Sequence, residues 1–371
     1  MNTYPYFLKL LRSALWDYPA DSSGFEDLGE GEWKDIMQYA GRQRLAALIA
    51  DGISSLPPEL RPPKSIYIHF LLLSEKIEEA NRKINDELLE LVKIYGELDI
   101  PFVLLKGQGN AFYYPRPLHR TPGDLDLFLY RKGDYEKAKR WVIARNYVRE
   151  SETALHLGYN REDIHIENHR YITRFDRRKY NRILASKIKE ITDKEGFEEI
   201  RINGEKIRVL PVEMNAFFIF QHMFHHFVYE GVGFRQLCDW ILLLNARGRD
   251  MDRERFTAMA EEFGLMRAMR VFAHIAVKYM GARPAVFPFE LGPDNKFSEL
   301  VMADILAGGH FGRYRPGKKD PDSLWGGRWN RYKKTVIRMR KFVGMAPSHI
   351  RFLPFARLWI RMKLTLKHGR K

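Results

Sequence analysis

Asp124 and Asp126 stand one residue apart in Pro122-Gly123-Asp124-Leu125-Asp126-Leu127-Phe128-Leu129. The alternation of acid and leucine predicts a strand, whose side chains alternate faces with period two. Both carboxylates then share one face, while Leu125, Leu127 and Leu129 point into a core. Like charges held this close repel unless a cation stands between them. Mg²⁺ takes oxygen ligands of this kind, usually one or two carboxylates together with substrate phosphates. The pair therefore predicts a metal site for phosphoryl or nucleotidyl chemistry. Taken alone, it reads equally well as a solvated edge strand with two surface acids.

The flanking residues add to the pair. Phe102-Val103-Leu104-Leu105 is a short apolar run that suits a buried strand. Lys106-Gly107-Gln108-Gly109-Asn110 follows, where the glycines break the strand and Asn110 can start a helix. A strand, a glycine turn and a helix N-terminus present free backbone N–H groups to an anion. Lys106 adds a positive charge at the mouth, although an ordinary strand-to-helix turn has the same outline. Pro115, Pro117 and Pro122 make residues 114–123 a loop. Its Arg116, His119 and Arg120 could contact a triphosphate, and Arg120 is nearest the acids. Downstream, His165, Glu167 and His169 share one face of a predicted strand, and Ile164, Ile166 and Asn168 share the other. Glu167 is the candidate third carboxylate, able to hold a metal or to take a proton from an attacking hydroxyl. Without the upstream pair, His165-x-Glu167-x-His169 reads equally as a transition-metal site, because imidazole suits zinc or iron. A polar outer strand face is the remaining option.

The series Leu105-Lys106-Gly107, Arg120-x-x-x-Asp124-h-Asp126-h and h-Glu167-x-His169 (h, apolar) resembles the nucleotidyltransferase superfamily of DNA polymerase β. Within it the chain is most similar to a bacterial group of uncharacterised nucleotidyltransferase family proteins. The motif block covers about residues 100–170. His222-x-x-His225 and Gly231-x-Gly233-Phe234-Arg235-Gln236-x-x-Asp239 also resemble that group. The resemblance implies that Asp124 and Asp126 bind two Mg²⁺ ions, with Mn²⁺ able to substitute, and that Glu167 completes the triad. It implies that Gly107 and Gln108 sit at the phosphates of a nucleoside triphosphate (NTP). Lys106 and Arg120 would offset the triphosphate charge. The chain departs from the superfamily in reading Gly107-Gln108 where Gly-Gly or Gly-Ser is usual. It also has a longer gap from Gly107 to Asp124, and a Glu rather than an Asp as third acid.

These residues need a scaffold. The pattern predicts an α+β fold, a small mixed nucleotidyltransferase-type sheet flanked by extensive N- and C-terminal helices. Residues 1–84 read as an N-terminal helical region, 85–212 as the catalytic core, 213–310 as a C-terminal helical region and 311–371 as a basic amphipathic tail. Ile77, Ala80, Ile84, Leu88, Leu91 and Tyr95 mark a long helix over 65–98. Strands are expected at 102–105, 124–130 and 163–168, and a helix at 134–144. Asn203-Gly204 between alternating apolar residues predicts a hairpin over 199–209. Helices follow at 213–229 and 234–245, then at 251–263, 265–280 and 296–307. Amphipathic stripes run over 331–343 and 352–366.

Composition bounds the rest. A 45% hydrophobic fraction excludes general disorder. The single cysteine, Cys238, excludes an internal disulfide and a Cys-rich zinc site, and suits a reducing cytoplasm. No run approaches the roughly 18 apolar residues of a membrane span, and the N-terminus does not read as a signal peptide. Of the net charge of +15, residues 311–371 carry 18 Lys and Arg against 2 Asp and Glu; the other 310 carry 44 against 45. Such a tail implies a polyanion, nucleic acid or an anionic membrane surface, unless it is a solvated face. The expected protein is a cytoplasmic enzyme, free or peripheral to a membrane, that moves a nucleoside monophosphate (NMP) from an NTP to a hydroxyl of an unknown acceptor. The alternative is a catalytically silent relative that binds polyanions through the tail. A third reading is a metal hydrolase built on His222, His225, His226 and Asp239.

Overall fold

The structure is a computed structural model that describes residues 3–314, 332–333 and 336–351. The fold is α+β. Among the described residues, seven strands form one mixed sheet in the order β3-β4-β5-β2-β1-β7-β6. They are β1 (Val103–Leu105), β2 (Leu125–Phe128), β3 (Val148–Glu152), β4 (His156–Arg161), β5 (Ile164–His169), β6 (Glu198–Ile202) and β7 (Glu205–Val209). The central β2 runs antiparallel to β1 and parallel to β5. The β6–β7 hairpin turns at Asn203 and Gly204, both at positive φ (49° and 89°), as a type I′ turn requires.

One face of the sheet is dry. Leu104, Leu125, Leu127, Leu157, Tyr159 and Ile166 pack there against α4 (Lys64–Glu97) and α6 (Asp134–Ala144). Helix α4 supplies Ile84, Leu88, Leu91 and Tyr95, the stripe read from the sequence. At about 1.5–3 kcal/mol for each fully buried large apolar side chain, this stripe contributes strongly to holding the helix on the sheet. Its 34 residues carry it onward into a second core with Ile66 and Phe70. That larger core holds α1 (Tyr4–Trp16), α2 (Glu30–Gln43), α3 (Ala46–Ser54), α8 (Val212–Tyr229), α9 (Phe234–Arg247), α10 (Arg253–Glu262) and α11 (Met266–Met280). Helix α8 is aromatic on nearly every side because it is buried on nearly every side.

Strands β3 and β4 and helix α7 (Arg178–Asp193) go beyond what the sequence patterns predict. Strand β3 is largely exposed, so it lacks the apolar alternation by which strands are recognised. Of the two stripes in the tail, 352–366 lies outside the described residues. In the first, Phe342 is buried and Met339 packs on the large core, while Arg338 pairs with Asp304 at 2.7 Å and donates to the Phe227 carbonyl. Within the described residues of this stripe, Phe342 belongs to the core and Met339 and Val343 pack against it, while Ile337 is exposed. No helix among the described residues is long and apolar enough to cross a membrane.

Candidate active site

The β2–β5 register builds the site. Asp126 lies beside Glu167 across the parallel pair, and Leu125 lies beside Ile166. Because Leu125, Leu127 and Ile166 face the dry core, Asp126 and Glu167 emerge together on the opposite face. Asp124 precedes β2 and is exposed, and it has no hydrogen-bond or ion-pair partner among the described residues. Loss of water, then the charges of Asp126 and Glu167, push its carboxyl above the ordinary carboxylate value. The three acids thus feel one another.

Asp126 is 5% exposed. Burial works against its charge, but Lys106 and His169 outweigh it and hold the carboxyl well below its ordinary value. Lys106 Nζ stands 2.9 Å from Asp126 Oδ1, and His169 Nε2 stands 2.8 Å from the same oxygen. His169 Nε2 also lies 3.0 Å from Glu167 Oε2. Strand β4 adds His156, paired in register with His169, with Nε2 3.5 Å from Glu167 Oε1. His165 Nε2 is 3.8 Å from that oxygen. His156 is a residue the sequence reading missed. The alternation in His156-Leu157-Gly158-Tyr159-Asn160 was the available signal, with Leu157 and Tyr159 in the core and His156 on the acidic face.

The glycine turn meets the acids from β1. Lys106 and Gly107 both adopt positive φ (50° and 41°), and α5 (Gly107–Ala111) begins there. A side chain at Gly107 would put Cβ 3.2 Å from the Asp124 carbonyl oxygen, so glycine lets the turn approach that backbone. The Gln108 side chain points away into the helical layer, where its Nε2 donates to Asn85 Oδ1 on α4 at 2.6 Å.

The proline loop is held from behind. Arg120 is 3% exposed and binds Asp239 of α9 through both carboxylate oxygens, at 2.7 and 2.9 Å. Tyr114 donates to the same Asp239 at 2.7 Å. Asn81 of α4 donates to the carbonyls of Leu118 and Arg120, at 2.7 and 2.9 Å. His119 bridges Asp51 and Glu78, each at 2.7 Å, and Arg116 pairs with Asp51 at 2.5 Å. The structure thus brings Lys106, Gly107, Asp124, Asp126 and Glu167 together, and turns Arg116, His119 and Arg120 toward carboxylates of other elements. Arg235 donates to the Thr121 and Pro122 carbonyls at 3.0 and 3.2 Å. Burial, then the Arg120 charge, pushes it down to about 10. A cavity of about 660 Å³ is lined by Asp51, Glu75, Glu78, Arg116 and His119, and by none of Asp124, Asp126 and Glu167.

The His/Asp hydrolase cluster is not assembled. Asp239 is taken by Arg120 and Tyr114, His225 stacks on Tyr229, and His226 packs on Phe311. His222 instead lies within electrical reach of Lys106 and Asp126. Burial, then the Lys106 charge, holds its imidazole well below the ordinary value, and therefore neutral.

A helix-flanked mixed sheet thus carries Asp126 and Glu167 on adjacent strands beside a glycine turn. The chain belongs to the uncharacterised nucleotidyltransferase family, whose model matches residues 29–281. No curated protein matches it. Among solved structures it is similar to an antigenic nucleotidyltransferase-like protein from Paracoccidioides brasiliensis. The identity is 11%, covering 58% of this chain and 97% of that one, with a TM-score of 0.30. At that score the likeness bears no weight.

Proposed function

We propose that the protein transfers an NMP from an NTP to a hydroxyl of an acceptor, with Mg²⁺ held by Asp124, Asp126 and Glu167. The observation that carries this reading is the register pair Asp126–Glu167 beside an unpartnered Asp124. A carboxyl raised by loss of water and then by two neighbouring carboxylates is one that a divalent cation would relieve, so the donor set fits the metal. When bound, the ions supply positive charge to the triphosphate and acidify the acceptor hydroxyl.

The remaining work falls to the chain. Lys106, on the turn, offers its ammonium to a triphosphate oxygen as the alternative partner to Asp126. Gly107 lets backbone approach the same place, so that N–H groups rather than the Gln108 side chain meet phosphate. Glu167, between two imidazoles, is suited to accept the hydroxyl proton or to hold a metal. Arg120 acts at a distance, through the Asp239 pair that fixes the loop leading into Asp124. The basic surplus of residues 311–371 adds a proposed polyanion partner for the acceptor side.

The test is incubation of the protein and Mg²⁺ with each α-labelled NTP, alone and with cell extract. Label should appear on an acceptor with the wild type and vanish with Asp124→Asn. Undiminished labelling by a folded Asp124→Asn protein rejects the reading.

A further inference from the structure

We infer that His156, Glu167 and His169 form a nitrogen-rich site for a transition-metal ion of the class Zn²⁺ or Fe²⁺, for which Co²⁺ serves as the spectroscopic probe. It lies on the β4 side of the acids, away from Asp124. The inference shares Glu167 and Asp126 with the reading above and rests on that reading at those two residues.

Geometry is the first argument. An ion bound at about 2.0–2.2 Å to nitrogen and oxygen spaces adjacent ligand atoms about 3.0–3.5 Å apart. His169 Nε2 and Glu167 Oε2 are 3.0 Å apart, and His156 Nε2 and Glu167 Oε1 are 3.5 Å apart. One ligand atom from each of the three residues falls within 4.8 Å of the others. Asp126 Oδ1, 2.8 Å from His169 Nε2, is placed as a fourth donor.

Ring orientation is the second. His169 is 2% exposed, and its Nε2 faces two carboxylates. The far nitrogens, Nδ1 of His156 and of His169, are buried and have no hydrogen-bond partner among the described residues. What the rings face at Nε2 therefore orients them. The third argument is space. Gly158 lies opposite Glu167 in the β4–β5 register. A Cβ there would stand 2.6 Å from Ser151 Oγ and 3.1 Å from His165 Nε2, so glycine leaves room for those two side chains beside the Glu167 register position.

Ligand chemistry then decides the ion. Carboxylate and water suit Mg²⁺, whereas imidazole suits zinc, copper, iron and nickel. Two imidazoles on one carboxylate make a donor set from which Mg²⁺ gains little. The site holds a transition ion while Mg²⁺ serves the Asp124 side.

The test uses full-length, metal-stripped protein titrated with Co²⁺ in excess Mg²⁺, read by visible absorption and by elemental analysis of bound cobalt. Wild type should retain cobalt with absorption bands of imidazole ligation. His156→Gln and His169→Gln should each weaken binding at least about tenfold, with thermal melts reporting on folding. His156 is only partly buried, so its variant keeps the test sound if His169→Gln fails to fold. Asp124→Asn should keep cobalt while losing NMP transfer. The inference is overturned if excess Mg²⁺ displaces the cobalt, if His156→Gln binds it as wild type does, or if Asp124→Asn releases it. Because cobalt binding and transfer are read separately, failure of one leaves the other measurable.

Discussion

Asp126 keeps its charge in a dry place because Lys106 and His169 press on the same oxygen. Removing that charge should be costly to activity. Asp126→Asn should lower NMP transfer by more than about 100-fold, the upper end for residues that merely support a metal ligand, as measured by label incorporation. His119 gives a prediction in pH. Burial alone would lower its pKa, but Asp51 and Glu78 outweigh burial and raise it above the ordinary 6.5. The folded state therefore holds the proton more tightly than the unfolded chain does. The stabilisation is complete below about pH 6.5 and is lost as pH rises through the folded value. Thermal melts should fall over that upward range, and His119→Gln should flatten this part of the profile. Unchanged pH dependence in the variant would rule out the bridge as its source.

At the scale of elements, the proline loop joins α4 to α9. Arg120–Asp239 is a buried two-oxygen pair, and breaking one partner of such a pair costs about 3–5 kcal/mol. Asp239→Asn should show that loss in urea unfolding, whereas a surface pair would show under about 1 kcal/mol. Asn81 fixes the same loop with two side-chain donations. Asn81→Leu should speed amide exchange over residues 114–123 and leave the β6–β7 hairpin unchanged. Gly107 is an element junction too, with a positive φ and a carbonyl at 3.2 Å from any Cβ. Gly107→Ala should raise KM for the NTP more than it lowers stability. An unchanged KM would place phosphate elsewhere.

For the whole molecule, charge is divided along the chain. Residues 311–371 hold the basic surplus, and part of that segment is spent on packing, through Phe342, Met345 and Ile350 and through the Arg338–Asp304 pair. Truncation after Arg351 removes six Lys and Arg residues. If they neutralise RNA phosphates, the truncated chain should bind single-stranded RNA more weakly. Its salt slope should also be shallower, by about 0.7 for each phosphate no longer neutralised. An equal slope in the two chains would assign any RNA affinity to the body.

Local order was legible wherever a pattern repeats over short range. The period-two acids, the α4 stripe, the Asn203-Gly204 turn and the helix over 134–144 depend on neighbours in sequence, and the residues themselves specified them. The sequence predicted Asp124 and Asp126 on one strand and Glu167 on another; in the structure Asp126 lies on β2 and Glu167 on β5, while β2 begins one residue after Asp124. Only the tertiary structure decided that β2 and β5 pair in the register that sets Asp126 beside Glu167. It also turned Arg120 to Asp239 and Gln108 to Asn85, and brought His156 of another strand nearer to Glu167 than His165. The physical reason is that such partners lie from 11 to more than 100 residues apart. A side chain's type fixes what it can bond, whereas which of several eligible partners it meets is set by how strands and helices pack.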